Sequence, residues 1–307
     1  MLTDVQGVLL GHRSLGDTGV SVVVVPDGAV AAVDVRGGGP GTRETDLLEP
    51  HNTVQQVHAV CLSGGSAFGL ATADGVMKAL EERGIGFPVI RDIRVPIVPA
   101  AVIFDLLVGD ATHRPTAEDG YAAVQDAFAG PSTSSGSVGA GCGATAGVLR
   151  GGFGQASLKV GEYTIAAGVV ANPVGAVVDK DTGRFWGAPE LAVDKARFAA
   201  LKGLETKLNT TIGVIVTDAP VTKAQAKRLA MTGHDGLARA VRPAHSPLDG
   251  DTLFTLSTGS GEGVSLENMI ALSTASADVV CAAIIDAVVH ATSGYGLECY
   301  QGLRGDQ

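Results

Sequence analysis

The junction Asn209-Thr210-Thr211-Ile212 stands where a charged stretch of chain gives way to a β-branched one. A threonine hydroxyl attacks carbonyl groups poorly unless a base lies within hydrogen-bond reach. A threonine at a free N-terminus carries that base itself, because an α-amine titrates near pH ~7.7–8.0 and is partly neutral in the cell. The amine becomes free only if the Asn209–Thr210 bond breaks. The hydroxyl can bring this about by attacking the preceding carbonyl, after which water hydrolyses the ester. Asn-Thr-Thr also describes an ordinary turn leading into a strand, and the residue types alone leave both readings open.

Other chemistries leave no motif. No serine sits in a G-x-S-x-G elbow, and neither a phosphate-binding G-x-x-x-x-G-K-[ST] nor an H-E-x-x-H occurs. Gly141-Cys142-Gly143-Ala144-Thr145-Ala146 fits the loose G-x-G-x-x-A dinucleotide pattern, but the Ser132–Ser137 run before it is not strand-like. The histidines at 12, 51, 58, 113, 234, 245 and 290 show no metal-ligand spacing, so no metal and no cofactor is implied. A net charge of −10 without a basic patch argues against a nucleic-acid partner. The N-terminus lacks the features of a signal peptide. The apolar stretch 271–289 is broken by Ser273, Ser276, Asp278 and Asp286 and reads as too polar to span a membrane. Cys61, Cys142, Cys281 and Cys299 are scattered and expected to be reduced, which points to the cytoplasm.

The elements that must position the junction alternate between strand and helix. Val20–Val25 and Ala29–Val35 are short β-branched runs, and Pro26-Asp27-Gly28 between them suggests a hairpin. His58–Leu62 reads as a strand, Ser66–Glu82 as a helix, and Ala117–Ala129 as a second helix. Strand candidates follow at Glu162–Val170 and Val174–Val178. Asp179–Leu208 reads as an exposed, charged connection holding the only tryptophan, Trp186, and one short helix. Thr210–Thr217 is a strand in which every residue but Gly213 is β-branched. A helix from Thr222 to about Val241, a strand Thr252–Ser257 and a long helix Ser265–Ala291 complete the chain. Sheets interleaved with apolar helices suggest helices covering packed sheets.

Five further segments resemble the DmpA-type L-aminopeptidase/D-esterase family. They are Thr42-Arg43-Glu44-Thr45-Asp46, the run Leu62–Leu70, the run Arg94–Asp105, the run Val138–Gly147, and Ala171-Asn172-Pro173-Val174-Gly175. The Asn209–Ile212 junction and Asp249-Gly250-Asp251-Thr252 are similar to the nylon-oligomer hydrolase branch in particular. The resemblance implies an α+β fold, a four-layer αββα sandwich over residues 1–307. It implies autocleavage into subunits 1–209 and 210–307 and a homo-oligomer of the cleaved pairs. It also assigns roles: Thr210 as nucleophile, Asn172 as oxyanion donor, and Asp249 and Asp251 as groups that position the hydroxyl and amine of Thr210.

The expected substrate is a small peptide, an amino-acid amide or ester, or an oligoamide. Two positions depart from the family pattern. Val148 stands where many relatives carry a lysine, with Arg150 the next basic residue. Ser135 stands where aminopeptidase members carry an acid for the substrate amine. Lys159, Tyr163 and His245 are further candidates for the site. An acyltransferase of the ornithine acetyltransferase type and a catalytically lapsed binding or assembly protein remain the alternatives.

Overall fold

The computed structural model describes residues 1–90, 92–204 and 208–305. Nine strands form one mixed sheet: β1 (Leu9–Ser14), β2 (Gly19–Val35), β3 (Thr42–Arg43), β4 (Gln56–Ser63), β5 (Ala100–Val102), β6 (Gly152–Val160), β7 (Tyr163–Ala171), β8 (Ile212–Thr217) and β9 (Thr252–Ser257). Their order is β6-β7-β8-β9-β2-β4-β5-β3, with β1 also paired to β2. The hairpin expected at Pro26-Asp27-Gly28 does not form, because β2 runs straight through it. Those residues make an irregularity between Val24 and Ala29 in the pairing with β4, with Gly28 at φ +82°. One left-handed glycine inside extended chain bends and twists a strand without reversing it. The first part of β2 pairs with β1 and β4, and the last part pairs with β9.

Side-chain alternation then sorts the molecule into layers. Val20, Val22 and Val24 of β2, with Ala59 and Cys61 of β4, pack under α1 (Thr72–Glu81) and α2 (Ala117–Ala129). Val23, Val25, Ala31 and Val33 point the other way. They enter a central core shared with Val60, Ala166, Ile212, Val214 and Phe254. Ala32, Ile165, Val169, Ile215 and Leu253 face outward again, onto α3 (Lys223–Ala240) and α4 (Leu266–Val289). The sequence of layers is therefore helix, sheet, sheet, helix: an αββα sandwich whose two β layers are halves of one sheet, continuous through β2.

Local signals explain most element ends. Thr222 caps α3 by accepting from Gln225 N–H, and Ser265 caps α4 by accepting from Asn268 N–H. The helix expected from Ser66 begins as a 3₁₀ segment, Ser66–Ala71, and becomes α-helical only at Thr72. There the Gly69 backbone lies so close to Gly64 that a Cβ would meet its carbonyl oxygen at 1.9 Å. Val174–Val178 is not a strand. It makes only isolated bridges, Ala176 with Arg242 and Val178 with Phe185, and Gly175 packs its backbone on Pro243. The connection after Asp179 holds one short helix, Lys195–Ala199, and Trp186 is half-buried beneath the Arg242 guanidinium at 4.1 Å. Glu205 and Lys207 of that connection lie outside the described residues. By length and composition alone α4 could cross a membrane, a test that buried core helices also pass. Here it is a core helix, with Val280, Ala283, Ile284 and Ala287 buried.

Candidate active site

Strand register alone brings the site residues together. In the antiparallel pair β7–β8, Val170 lies opposite Ile212; in the parallel pair β8–β9, Ile212 lies opposite Thr252. Stepping two residues beyond both pairs aligns Asn172, Thr210 and Gly250 across one end of the sheet. The contacts follow that geometry. Thr210 N–H donates to the Asn172 carbonyl at 2.7 Å, and Asn209 bridges Asp249 in parallel fashion. A Cβ on Gly250 would lie 2.9 Å from Thr210 Oγ1 and 2.8 Å from the Gly39 carbonyl oxygen, so only glycine fits there. Residues far apart in the sequence meet because the three strands ending here are neighbours.

Thr210 is 5% exposed, and its hydroxyl donates to the carbonyl oxygen of Asn209, the residue it follows. Asn172 is fully buried. Its Oδ1 accepts from Thr145 N–H at 2.8 Å and from Thr145 Oγ1 at 3.3 Å, which fixes the orientation of the amide. The Asn172 Nδ2 donates one hydrogen to the carbonyl of Phe104, a residue of the cavity wall, at 3.1 Å. An amide nitrogen has two, so one is left for a ligand. The Asn209 side chain donates to Thr145 Oγ1 at 3.1 Å and to the Pro173 carbonyl at 3.1 Å, which ties the junction to the same wall.

The two aspartates act on the flanks of Thr210 rather than on its hydroxyl. Asp249 accepts Val174 N–H and Ser246 N–H, both at 3.0 Å. Asp251 accepts Thr211 N–H at 2.9 Å and His245 N–H at 3.1 Å. Burial and then the Asp251 charge push the Asp249 carboxyl above the usual carboxylate range. The cavity beside Thr210 has a volume of about 290 Å³. Gly39, Gly41, Ser66, Ile103, Phe104 and Leu248 are among its walls, and none of the described lining residues carries a charged side chain. Ser66 holds φ +54°, a costly conformation for a residue with a side chain, at the edge of this cavity. Behind it, buried Asp105 accepts Gly65 N–H and Thr18 Oγ1, each at 2.7 Å; burial pushes its carboxyl up to about 6.

Of the remaining sequence candidates, only His245 joins the site, with its ring Nδ1 2.8 Å from Asp251 Oδ2. Ser135 donates to Asp286 on α4, Lys159 donates to Thr164 Oγ1 on the β6–β7 hairpin, and Tyr163 packs on the outer core. None of the three lines the Thr210 cavity. Val148 lines a separate cavity of about 610 Å³ with Val174, Trp186 and Phe198. Arg150 is buried and points to the Cys142 carbonyl. The residue that sequence reasoning passed over is Thr145, whose only signal is its place in Ala144-Thr145-Ala146. Among the described residues no group of His, Cys, Asp and Glu is placed to hold a metal ion.

The profile of peptidase family S58 matches residues 1–300. An uncharacterised aminopeptidase of Mycobacterium leprae is 47% identical, over 98% of this chain and 93% of its own length. The 6-aminohexanoate-oligomer endohydrolase of Kocuria sp. is 32% identical, over 92% of this chain and 84% of its own. Among solved structures, a beta-aminopeptidase from Burkholderia sp. superposes with a TM-score of 0.78 at 24% identity, covering 97% of this chain and 89% of that one. The L-aminopeptidase D-Ala-esterase/amidase of Ochrobactrum anthropi, described as a variant of the Ntn hydrolase fold, gives 0.76 at 22% identity, covering 94% and 86%.

Proposed function

The chain belongs to peptidase family S58 and is an amide hydrolase; from that premise we propose that it makes its own nucleophile by cleaving Asn209–Thr210. The observation that carries this reading is the placement of the Thr210 hydroxyl against the carbonyl of Asn209, at the one point where Asn172, Asp249 and Asp251 converge. Thr210 Oγ1 adds to the Asn209 carbonyl carbon, the C–N bond breaks, and the hydroxyl proton ends on the departing nitrogen. Water then hydrolyses the Asn209 ester. This leaves an Asn209 carboxylate and a Thr210 bearing a free hydroxyl and a free amine. In turnover the amine takes the hydroxyl proton as Oγ1 attacks the substrate carbonyl, and the spare Asn172 hydrogen meets the developing oxyanion. The leaving amine takes the proton, and water releases the acyl group.

The substrate we assign is a slender linear amide, such as a short oligoamide, with aminoacyl amides second. The described walls of the cavity offer no carboxylate to a substrate amine, and a relative at 32% identity is named for 6-aminohexanoate oligomers. Oligomer formation is supported by the exposed apolar hairpin Phe87–Ile90 and Ile93–Val95, and a cytoplasmic location by four unbridged cysteines. The test compares a short linear oligoamide with its N-acetylated form. Similar hydrolysis of both is expected, whereas a strict need for the free amine would contradict the assignment. Transfer of the acyl group to an added amine in preference to water would mark an acyltransferase instead.

A further inference from the structure

Asp251 holds the residue after the nucleophile, so whatever fixes Asp251 also fixes Thr210. Its Oδ1 accepts Thr211 N–H at 2.9 Å. Its Oδ2 accepts from His245 twice, from the backbone N–H at 3.1 Å and from ring Nδ1 at 2.8 Å. A carboxylate only accepts, so Nδ1 is the protonated nitrogen in this contact. The other ring nitrogen, Nε2, is buried and has no hydrogen-bond partner among the described residues. The hydrogen bonding of the His245 ring is therefore made through Nδ1.

Its setting is built for a fixed orientation. His245 sits at φ +55°, in the left-handed region that side chains avoid, which aims both of its donors at one oxygen. The ring of His234, fully buried on α3, packs edge-on against it at 4.8 Å and 70°. His234 is itself anchored, with Nε2 donating to the Asp34 carbonyl at 3.0 Å. A chain of contacts thus runs from the end of β2 through α3 to the loop before β9 and on to Thr211.

We propose that His245 is a positioning residue for the Thr210 centre: the hydrogen bond from its Nδ1 locks the Asp251 carboxylate, and through Thr211 N–H the strand end that carries Thr210. This rests on the reading of Thr210 as nucleophile. Displacing a reacting group by about an ångström costs roughly 100-fold in rate, and the loss falls on kcat, because His245 is not among the residues that line the Thr210 cavity.

Three variants test it. In His245→Asn the side-chain amide can place a donor where Nδ1 was; in His245→Gln the donor shifts toward the Nε2 position; His245→Ala has none. Thr210→Ala is run beside them, and melting curves confirm folding. The expected result is that the Gln and Ala variants cleave slowly and lose roughly 10- to 100-fold in kcat with KM little changed, while Asn retains most of the wild-type rate. Wild-type kcat in the Gln and Ala variants, or an Asn variant as impaired as Ala, overturns the proposal while an inert Thr210→Ala leaves the nucleophile assignment standing. If Thr210→Ala itself cleaves and turns over substrate, the underlying reading fails, and the His245 proposal with it.

Discussion

Asn172 illustrates how much of this site is decided by single hydrogen atoms. Thr145 holds its Oδ1, Phe104 takes one amide hydrogen, and the other is free for an oxyanion. Asn172→Ala should therefore lower kcat by roughly 100- to 1,000-fold with a small change in KM, measured on pre-cleaved protein; an unchanged kcat would assign the oxyanion to another donor. Asp105 makes a different demand. Burial raises its carboxyl to about 6 from an ordinary 3.8, so the folded chain holds this proton more tightly than the unfolded one. Its contribution to stability is complete below the unfolded value and is lost as pH rises through about 6. Asp105→Asn cannot ionise. It should lose less stability than wild type between about pH 4 and pH 7, the difference reaching at most roughly 3 kcal/mol. Urea denaturation at the two pH values measures this, and parallel losses in both proteins would clear Asp105 of the effect.

Elements fix the site by register, and glycine at 250 is what lets β9 approach Thr210. Gly250→Ala would push a methyl group into the Gly39 carbonyl and the Thr210 hydroxyl. It should cost roughly 1–3 kcal/mol in stability and slow cleavage at the junction, as followed by denaturation and by gel; wild-type behaviour in both would show that the strand end can shift. The sequence made parts of this scale legible. Thr222 and Ser265 announced their helices, the β-branched run after Thr210 announced β8, and Thr252–Ser257 emerged within its expected bounds. β2 did not read correctly, because Pro26-Asp27-Gly28 carries the composition of a reversal and only pairing with three partner strands keeps it extended. Thr145 was hidden for a related reason. Its role depends on Asn172 and Asn209 arriving beside it, which no local pattern encodes. Asp249 and Asp251 could be picked out by resemblance, but not the flanking N–H groups they hold.

Across the whole molecule, cleavage at 209–210 would not split the sandwich. The C-terminal piece supplies β8 and β9 to the middle of the sheet, between β7 and β2 of the N-terminal piece, and it supplies α3 and α4, the helices of one outer layer. The two chains should stay together until the protein unfolds. The hairpin ending at Val95 projects Val89 and Ile93, 57% and 55% exposed, away from every core. If the proposed oligomer forms through this hairpin, replacing both with lysine should reduce the mass seen by light scattering to that of one cleaved pair, and an unchanged mass would contradict that contact. The central claim is tested most directly by intact-mass measurement and N-terminal sequencing of purified wild-type protein beside Thr210→Ala. The account predicts two wild-type chains, residues 1–209 and 210–307, the second beginning Thr-Thr-Ile-Gly, and one unbroken, inactive chain for the variant. An active wild-type protein that remains a single chain, or a Thr210→Ala chain that still divides at this bond, would contradict it.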